Sequence, residues 1–308
     1  MRGPVDLTTT VGRVTFPNPI MTASGTAGYG AELGAYVDLA TLGGVVVKSL
    51  SPEPWAGNPP PRVHPTVAGM LNSVGLQNHG VADWLRDHLP ALRSAGARVV
   101  ASIWGFTIDD YARAASMLAG ADDTVVAVEV NLSCPNLNGG RHLFAHSPSD
   151  TAAVIAATEG CGRPRWAKLS PNVTDIVEIA GAALGAGADA VTLVNTLMGV
   201  AIDPGRAALR LGGGGGGLSG PAIHPVAVRA VFECRRAFPT AGIVGVGGVA
   251  RGIDAIEFLQ AGANAVQIGT ATFADPRAPA RVLAEIGKWC DAAGVSHLSE
   301  LIGRAHQG

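Results

Sequence analysis

Eight short runs of this chain are apolar almost throughout, and segments with helical spacing separate most of them. The runs cover residues 19–24, 44–49, 98–104, 125–132, 165–170, 190–196, 243–249 and 265–270. The helix-like segments include 107–118, 150–158, 175–186, 225–237, 253–261 and 279–292. A strand exposed on one face alternates apolar and polar residues. A run without that alternation is covered on both faces, as parallel strands are. Eight such units in sequence predict one (β/α)8 TIM barrel domain over residues 1–308, with inserted loops at the C-terminal face. Residues 6–16, centred on Gly12-Arg13, read as a β-hairpin plugging the bottom of the barrel. A doubly wound open sheet is the rival. It needs a phosphate-binding glycine loop after the first strand, and Ser24-Gly25-Thr26-Ala27-Gly28 fits that pattern weakly.

Composition excludes several classes. Only 15% of residues are charged and the formal net charge is −2, so no basic face for nucleic acid is visible. No apolar run approaches the roughly 20 residues that span a bilayer, and residues 1–6 lack the apolar core of a signal peptide. The four cysteines (134, 161, 234 and 290) show neither metal-ligand nor disulfide spacing, and a soluble cytoplasmic protein is expected. The eight histidines form no metal-binding helix face, so no metal is expected. His224 is expected to cap the following helix. Cys161, Cys234 and Cys290 are expected to be structural. Glycine is the outlier at 42 residues, six of them in the run 212–217, which reads as a mobile loop.

Barrel active sites sit at the C-terminal ends of the strands. Those ends carry Ser24, Lys48-Ser49, Ser102, Asn131, Lys168 and Asn195-Thr196. Two lysines at the ends of apolar strands are costly to bury unless an anion meets them. After the fourth run the sequence reads Asn131-Leu132-Ser133-Cys134-Pro135-Asn136, a thiol flanked by carboxamides in a turn restricted by proline. A thiol in that setting is a candidate proton-transfer group. The last two runs end in Gly247-Gly248 and Gly269-Thr270, whose backbone N–H groups no side chain obstructs. Barrels hold phosphate at these ends, next to a helix N-terminus, which points to a phosphorylated cofactor.

From about residue 15 to 275 the chain resembles the dihydroorotate dehydrogenases. The resemblance rests on motifs in order: Ala23-Ser24-Gly25, Val47-Lys48-Ser49, 69–78, 131–136, 168–173, Val194-Asn195-Thr196, 216–221 and Gly247-Gly248. It implies an FMN-containing barrel that oxidises dihydroorotate to orotate in pyrimidine (UMP) biosynthesis. Cys134 resembles class 1, because membrane-linked class 2 enzymes use serine as the base. The segments 57–59, 75–78 and 168–173 are most similar to the NAD-linked class 1B subgroup. That similarity implies a homodimer, within a heterotetramer that includes an FAD and iron–sulfur electron-transfer subunit. Cys134 would take the substrate proton, and Lys48 would stabilise charge between substrate and flavin. Lys48, Ser73, Val74, Gly75, Leu76 and the amide set Asn72, Asn131, Asn136, Asn195 and Thr196 would bind the pyrimidine and its carboxylate. Ser24, Lys48, Ser49, Ser102, Asn131, Lys168 and Val194 would meet the flavin. Gly220, Gly247, Gly248, Gly269 and Thr270 would hold its ribityl-phosphate tail.

The chain departs from the family at Ser102, where asparagine is usual, at Trp104 and at His79. Trp104 is expected to pack in the barrel rim. Trp55 and the Pro-rich stretch 57–61 read as a rigid loop after the second strand, with a binding lid the equal alternative. Two other functions stay open: oxidation or reduction of a related dihydropyrimidine, and a flavin-binding paralogue without turnover.

Overall fold

The computed structural model describes residues 4–133 and 143–308. Eight parallel strands form the barrel: β1 Ile20–Thr22, β2 Val45–Val46, β3 Val99–Ile103, β4 Val125–Asn131, β5 Arg165–Lys168, β6 Ala190–Leu193, β7 Gly242–Val246 and β8 Ala265–Ile268. Each pairs with its sequence neighbour, and β8 pairs with β1. Between β1 and β2 the ring is closed by Gly43 N–H donating to Ile20 O (2.8 Å) and Thr22 N–H donating to Gly44 O (3.2 Å). The expected parallel barrel is therefore the observed one. Helices Ile108–Leu118, Pro148–Ala157, Ile176–Gly185, His224–Ala237, Gly252–Ala261 and Ala278–Ala293 cover its outer face. Their starts are set locally. Thr107 and Asp110 form a reciprocal capping box, and the Asp175 carboxylate accepts from the backbone N–H groups of Val177 and Glu178.

Two apolar cores result. One lies between strands and helices, and the other fills the lower barrel around Met21, Val100, Trp166 and Val244. The hairpin Thr9–Val11/Val14–Phe16 closes that lower end, with the Phe16 ring 5.8 Å from Trp166, edge to face. Arg13 at its tip ion-pairs with Asp189 below β6, and Thr9 Oγ1 donates to Asn264 O at 2.7 Å. The hairpin is the expected plug.

The opposite end carries a feature the sequence reading lacked. Val63–Thr66, Gly69–Asn72, Gly216–Ser219 and Leu197–Gly199 form a four-stranded antiparallel sheet. The glycine run 212–217, expected as a mobile loop, ends inside this sheet, so that expectation is corrected. A Cβ on Gly212 would lie 2.3 Å from Pro59 O, one on Gly213 2.3 Å from Ser73 Oγ, and one on Gly217 2.0 Å from Thr196 Oγ1. These glycines serve close backbone approach, not freedom.

Candidate active site

The C-terminal ends of the strands and the antiparallel sheet enclose a cavity of about 590 Å³, within the usual range for a small-molecule or cofactor site. Val63, Met70, Asn72, Met198 and Ser219 of the antiparallel sheet line it from one side. From the strand ends come Ser24, Lys48, Ser49, Asn131, Lys168 and Val194. The segment 73–76 and Asn195-Thr196 complete the side nearest the sheet. Gly220, Gly247, Gly248, Gly269 and Thr270 line the far side. Cys134 and Asn136 lie outside the described residues, but Ser133 and Leu143, the described residues flanking that stretch, both line the cavity.

The side chains are fixed by a connected polar network. Ser24 Oγ and Ser49 Oγ share a hydrogen bond at 3.1 Å, and Ser49 Oγ shares another with Ser102 Oγ at 2.8 Å. Asn131 Nδ2 donates to Ser49 Oγ at 3.3 Å, and Asn195 Nδ2 donates to Asn131 Oδ1 at 3.2 Å. From behind, Tyr111 O–H donates to Asn131 O at 2.7 Å. Ser102 is fully buried and reaches the cavity only through Ser49, so it is not a lining residue. Its hydroxyl ends a row of three, Ser24, Ser49 and Ser102.

Residues 73–76 are held by their neighbours. Asn58 Nδ2 donates to Ser73 Oγ at 3.0 Å, and the Trp55 indole N–H donates to Gly75 O at 2.9 Å. Gly75 and Leu76 have φ of +72° and +65°. Leucine in that region is strained backbone, kept only where its surroundings fix it. Trp104 is buried and packs edge-on against Trp55 and Phe106, with centroids at 6.4 and 4.7 Å. The expected rim packing is what is found, and the 57–61 loop is braced against the site.

At the far end, Gly247 and Gly248 have φ of +145° and +72°, which favours glycine. A Cβ on either would also lie within 2.8 Å of Ala227 or His224. Thr270 Oγ1 donates to Ser219 Oγ at 2.8 Å. The helix after Thr270 is a single turn, Ala271–Ala274, so the donors here are loop N–H groups more than a helix end. His224 is not a cap: it is the first residue of its helix, and its ring bonds Gly247 O (2.9 Å) and Glu257 Oε2 (2.9 Å). It braces the glycine loop because the Ile223–His224 turn lies directly beside it, with Ile223 Cδ1 3.4 Å from where a Cβ on Gly247 would stand.

Three polar residues escaped sequence reading. Glu129 of β4, Thr192 of β6 and Gln267 of β8 are fully buried inside the barrel. Thr192 Oγ1 and Gln267 Nε2 donate to Glu129 Oε2 at 3.1 and 2.7 Å, and Lys168 Nζ lies 3.5 Å from Glu129 Oε1. The available signal was a lone charge within an apolar strand. Asn172 was also missed as a brace: its Nδ2 donates to Thr196 O at 3.0 Å, and its Oδ1 accepts from Met198 N–H at 2.8 Å. The chain contains three lysines, and two of them, Lys48 and Lys168, line this cavity. Cys161, Cys234 and Cys290 are buried. Burial pushes the Cys234 thiol up to about 12 and raises the other two, which makes all three inert.

A cavity of this shape offers amide edges and hydroxyls near two ammonium groups at one end and glycine N–H groups at the other. It can take a planar polar heterocycle together with an anionic tail. Residues 6–289 match the family model described as dihydroorotate dehydrogenase. A Desulforudis audaxviator protein named dihydroorotate dehydrogenase B (NAD(+)), catalytic subunit, is 48% identical over 96% of this chain and 95% of its own length. One of that name from Trichlorobacter lovleyi is 46% identical over 95% and 96%. A Solibacter usitatus protein provisionally named dihydroorotate dehydrogenase A (fumarate) is also 46% identical, over 96% and 97%. Barrel, cavity and near end-to-end likeness agree, and the chain belongs to the dihydroorotate dehydrogenase family.

Proposed function

We infer that this chain oxidises dihydroorotate to orotate with FMN as the bound electron acceptor, the redox step of pyrimidine biosynthesis. One observation carries the reading: Asn72, Asn131 and Asn195, two lysines and a glycine-lined end converge on a single cavity. The residues fit FMN. Uncovered backbone at Gly247, Gly248 and Gly269, with the Thr270 hydroxyl, offers donors to a phosphate. Lys168, Ser24 and Ser49 would meet the ring system, and Ser102 would support it through Ser49. Bound FMN supplies the two-electron acceptor for the hydride leaving one substrate ring carbon.

The chain's own residues do the rest. Cys134 takes the proton from the neighbouring ring carbon, beside a carbonyl, so that a carbon–carbon double bond forms as proton and hydride leave. The carboxamides Asn72, Asn131, Asn136 and Asn195, with Thr196, pair with the donors and acceptors of a cyclic ureide and its carboxylate. Rings lacking those groups leave the amides unpaired, which is the basis of selectivity. Lys48 stabilises negative charge developing between substrate and flavin. The antiparallel sheet shields one side of the cavity from water.

Among the described residues no helix is long and apolar enough to cross a membrane, and the proposed place of work, with the other steps of pyrimidine biosynthesis, is the cytoplasm. Relatives named as the catalytic subunit of an NAD(+) enzyme support a separate partner subunit; in the proposed assembly this chain forms a homodimer and the partner carries FAD and an iron–sulfur cluster for electron transfer. The fumarate-named relative favours a second reading, in which fumarate takes the electrons directly. Purified protein should carry about one FMN per chain, identified by mass spectrometry after denaturation. With dihydroorotate it should reduce artificial acceptors and leave NAD untouched. Rapid fumarate turnover would select the second reading, and a colourless protein that FMN cannot reconstitute would overturn the flavin assignment.

A further inference from the structure

Directly below the cavity, Glu129 is fully buried and Lys168 is 5% exposed. Glu129 Oε2 is satisfied by Thr192 and Gln267, while Oε1 has no hydrogen-bond donor among the described residues and faces Lys168 Nζ at 3.5 Å. Lys168 touches both worlds: its ammonium lies against this carboxylate, and its side chain lines the cavity. A carboxylate sunk in a barrel is costly unless it has a charge to offset and donors to hold it. Here the two donors come from β6 and β8, and the charge comes from β5. Three strands thus fix the carboxylate, and the carboxylate fixes the lysine.

We propose that Glu129 is a positioning residue: a buried counter-ion that anchors Lys168 under the cavity and sets the net charge the flavin ring meets there. This rests on the reading that the cavity holds FMN. The pair is itself close to neutral, so at Lys168 the flavin meets an oriented dipole instead of a full cation. Removing either charge therefore changes the field on the ring, with opposite sign.

The test is a double-mutant cycle of Glu129→Gln, Lys168→Met and their combination, each reconstituted with FMN. The readout is the flavin midpoint potential from spectroscopic redox titration. Glu129→Gln leaves the lysine uncompensated, which favours the electron-rich reduced flavin and raises the potential. Lys168→Met leaves the carboxylate uncompensated and lowers it. The double variant returns toward the parental value. Thr192→Val keeps both charges and removes one donor from Glu129, so it shifts the potential slightly in the direction of Lys168→Met; it also keeps the proposal testable should Glu129→Gln not fold. Single-variant potentials that equal the parent, or that move the same way, overturn the proposal. Thermal unfolding of the flavin-free proteins separates this from the cofactor reading. There both single variants lose Tm and the double variant recovers part of it, whether or not FMN is the ligand. Failure to bind FMN in the parent would sink the cofactor reading alone.

Discussion

Two adjacent rings of inward side chains divide the barrel. The lower ring is apolar on every strand: Met21, Val46, Val100, Ala127, Trp166, Ala190, Val244 and Ala265. Two residues further along each strand, the next inward positions are Ala23, Lys48, Ser102, Glu129, Lys168, Thr192, Val246 and Gln267, six of them polar. One step of about 7 Å along the strands thus changes a close-packed plug into a charged floor. The lower ring has only packing to provide, and Phe16 of the hairpin seals it. The upper ring accepts the cost of buried charge, which a fold without a ligand would gain nothing from. Stability and chemistry are therefore assigned to different layers of the same strands.

That division can be broken from either side. Trp166→Ala removes the largest side chain of the lower ring and should cost about 3–5 kcal/mol. Denaturant unfolding should show it, while the flavin content of the folded fraction stays near parental. Loss of flavin without loss of stability would erase the distinction between the layers. Cys134→Ala should do the reverse. It should retain flavin, bind orotate and unfold like the parent, while flavin reduction by dihydroorotate slows at least about 100-fold, the span of a general base. A parental rate in stopped flow would mean that another group is the base.

Gly217→Ala tests the roof. The new methyl would push on Thr196, so KM for dihydroorotate should rise roughly tenfold or more with the flavin spectrum unchanged. An unchanged KM would show that Thr196 does not contact substrate.

The smallest effect belongs to the hairpin. Burial alone would raise the Asp189 carboxyl, but Arg13 and the Arg165 backbone N–H together hold it below its ordinary value. A lowered carboxylate contributes stability above its unfolded value, near pH 4, and the contribution fades as pH falls through the folded value. Arg13 is 70% exposed, so Arg13→Ala should cost only about 0.2–1 kcal/mol at neutral pH. The gap between the two proteins should close in acid. A gap that widens in acid contradicts the assignment.

The barrel was legible because strands covered on both faces show as unbroken apolar runs, and their ends marked Lys48, Asn131, Lys168 and Asn195. The same property hid the polar ring. With both faces buried, nothing in the sequence says which parity faces inward, so Glu129, Thr192 and Gln267 looked like interruptions. The antiparallel sheet was missed because its strands are three or four residues long, and Pro65 in the first argues against a strand. The pairing that joins its two halves is between partners about 150 residues apart, such as Leu71 with Leu218. Gly212–Gly217 was misread because glycine that frees a chain and glycine that lets two backbones touch are the same letter.

On the proposed reading, the charged upper layer serves a flavin that dihydroorotate reduces. Anaerobic titration of the purified holoprotein with dihydroorotate tests it most directly, with the visible flavin absorbance as the readout. Bleaching should be complete near one equivalent per chain, with orotate recovered in the same amount. Absorbance that dithionite bleaches but excess dihydroorotate leaves unchanged would contradict it.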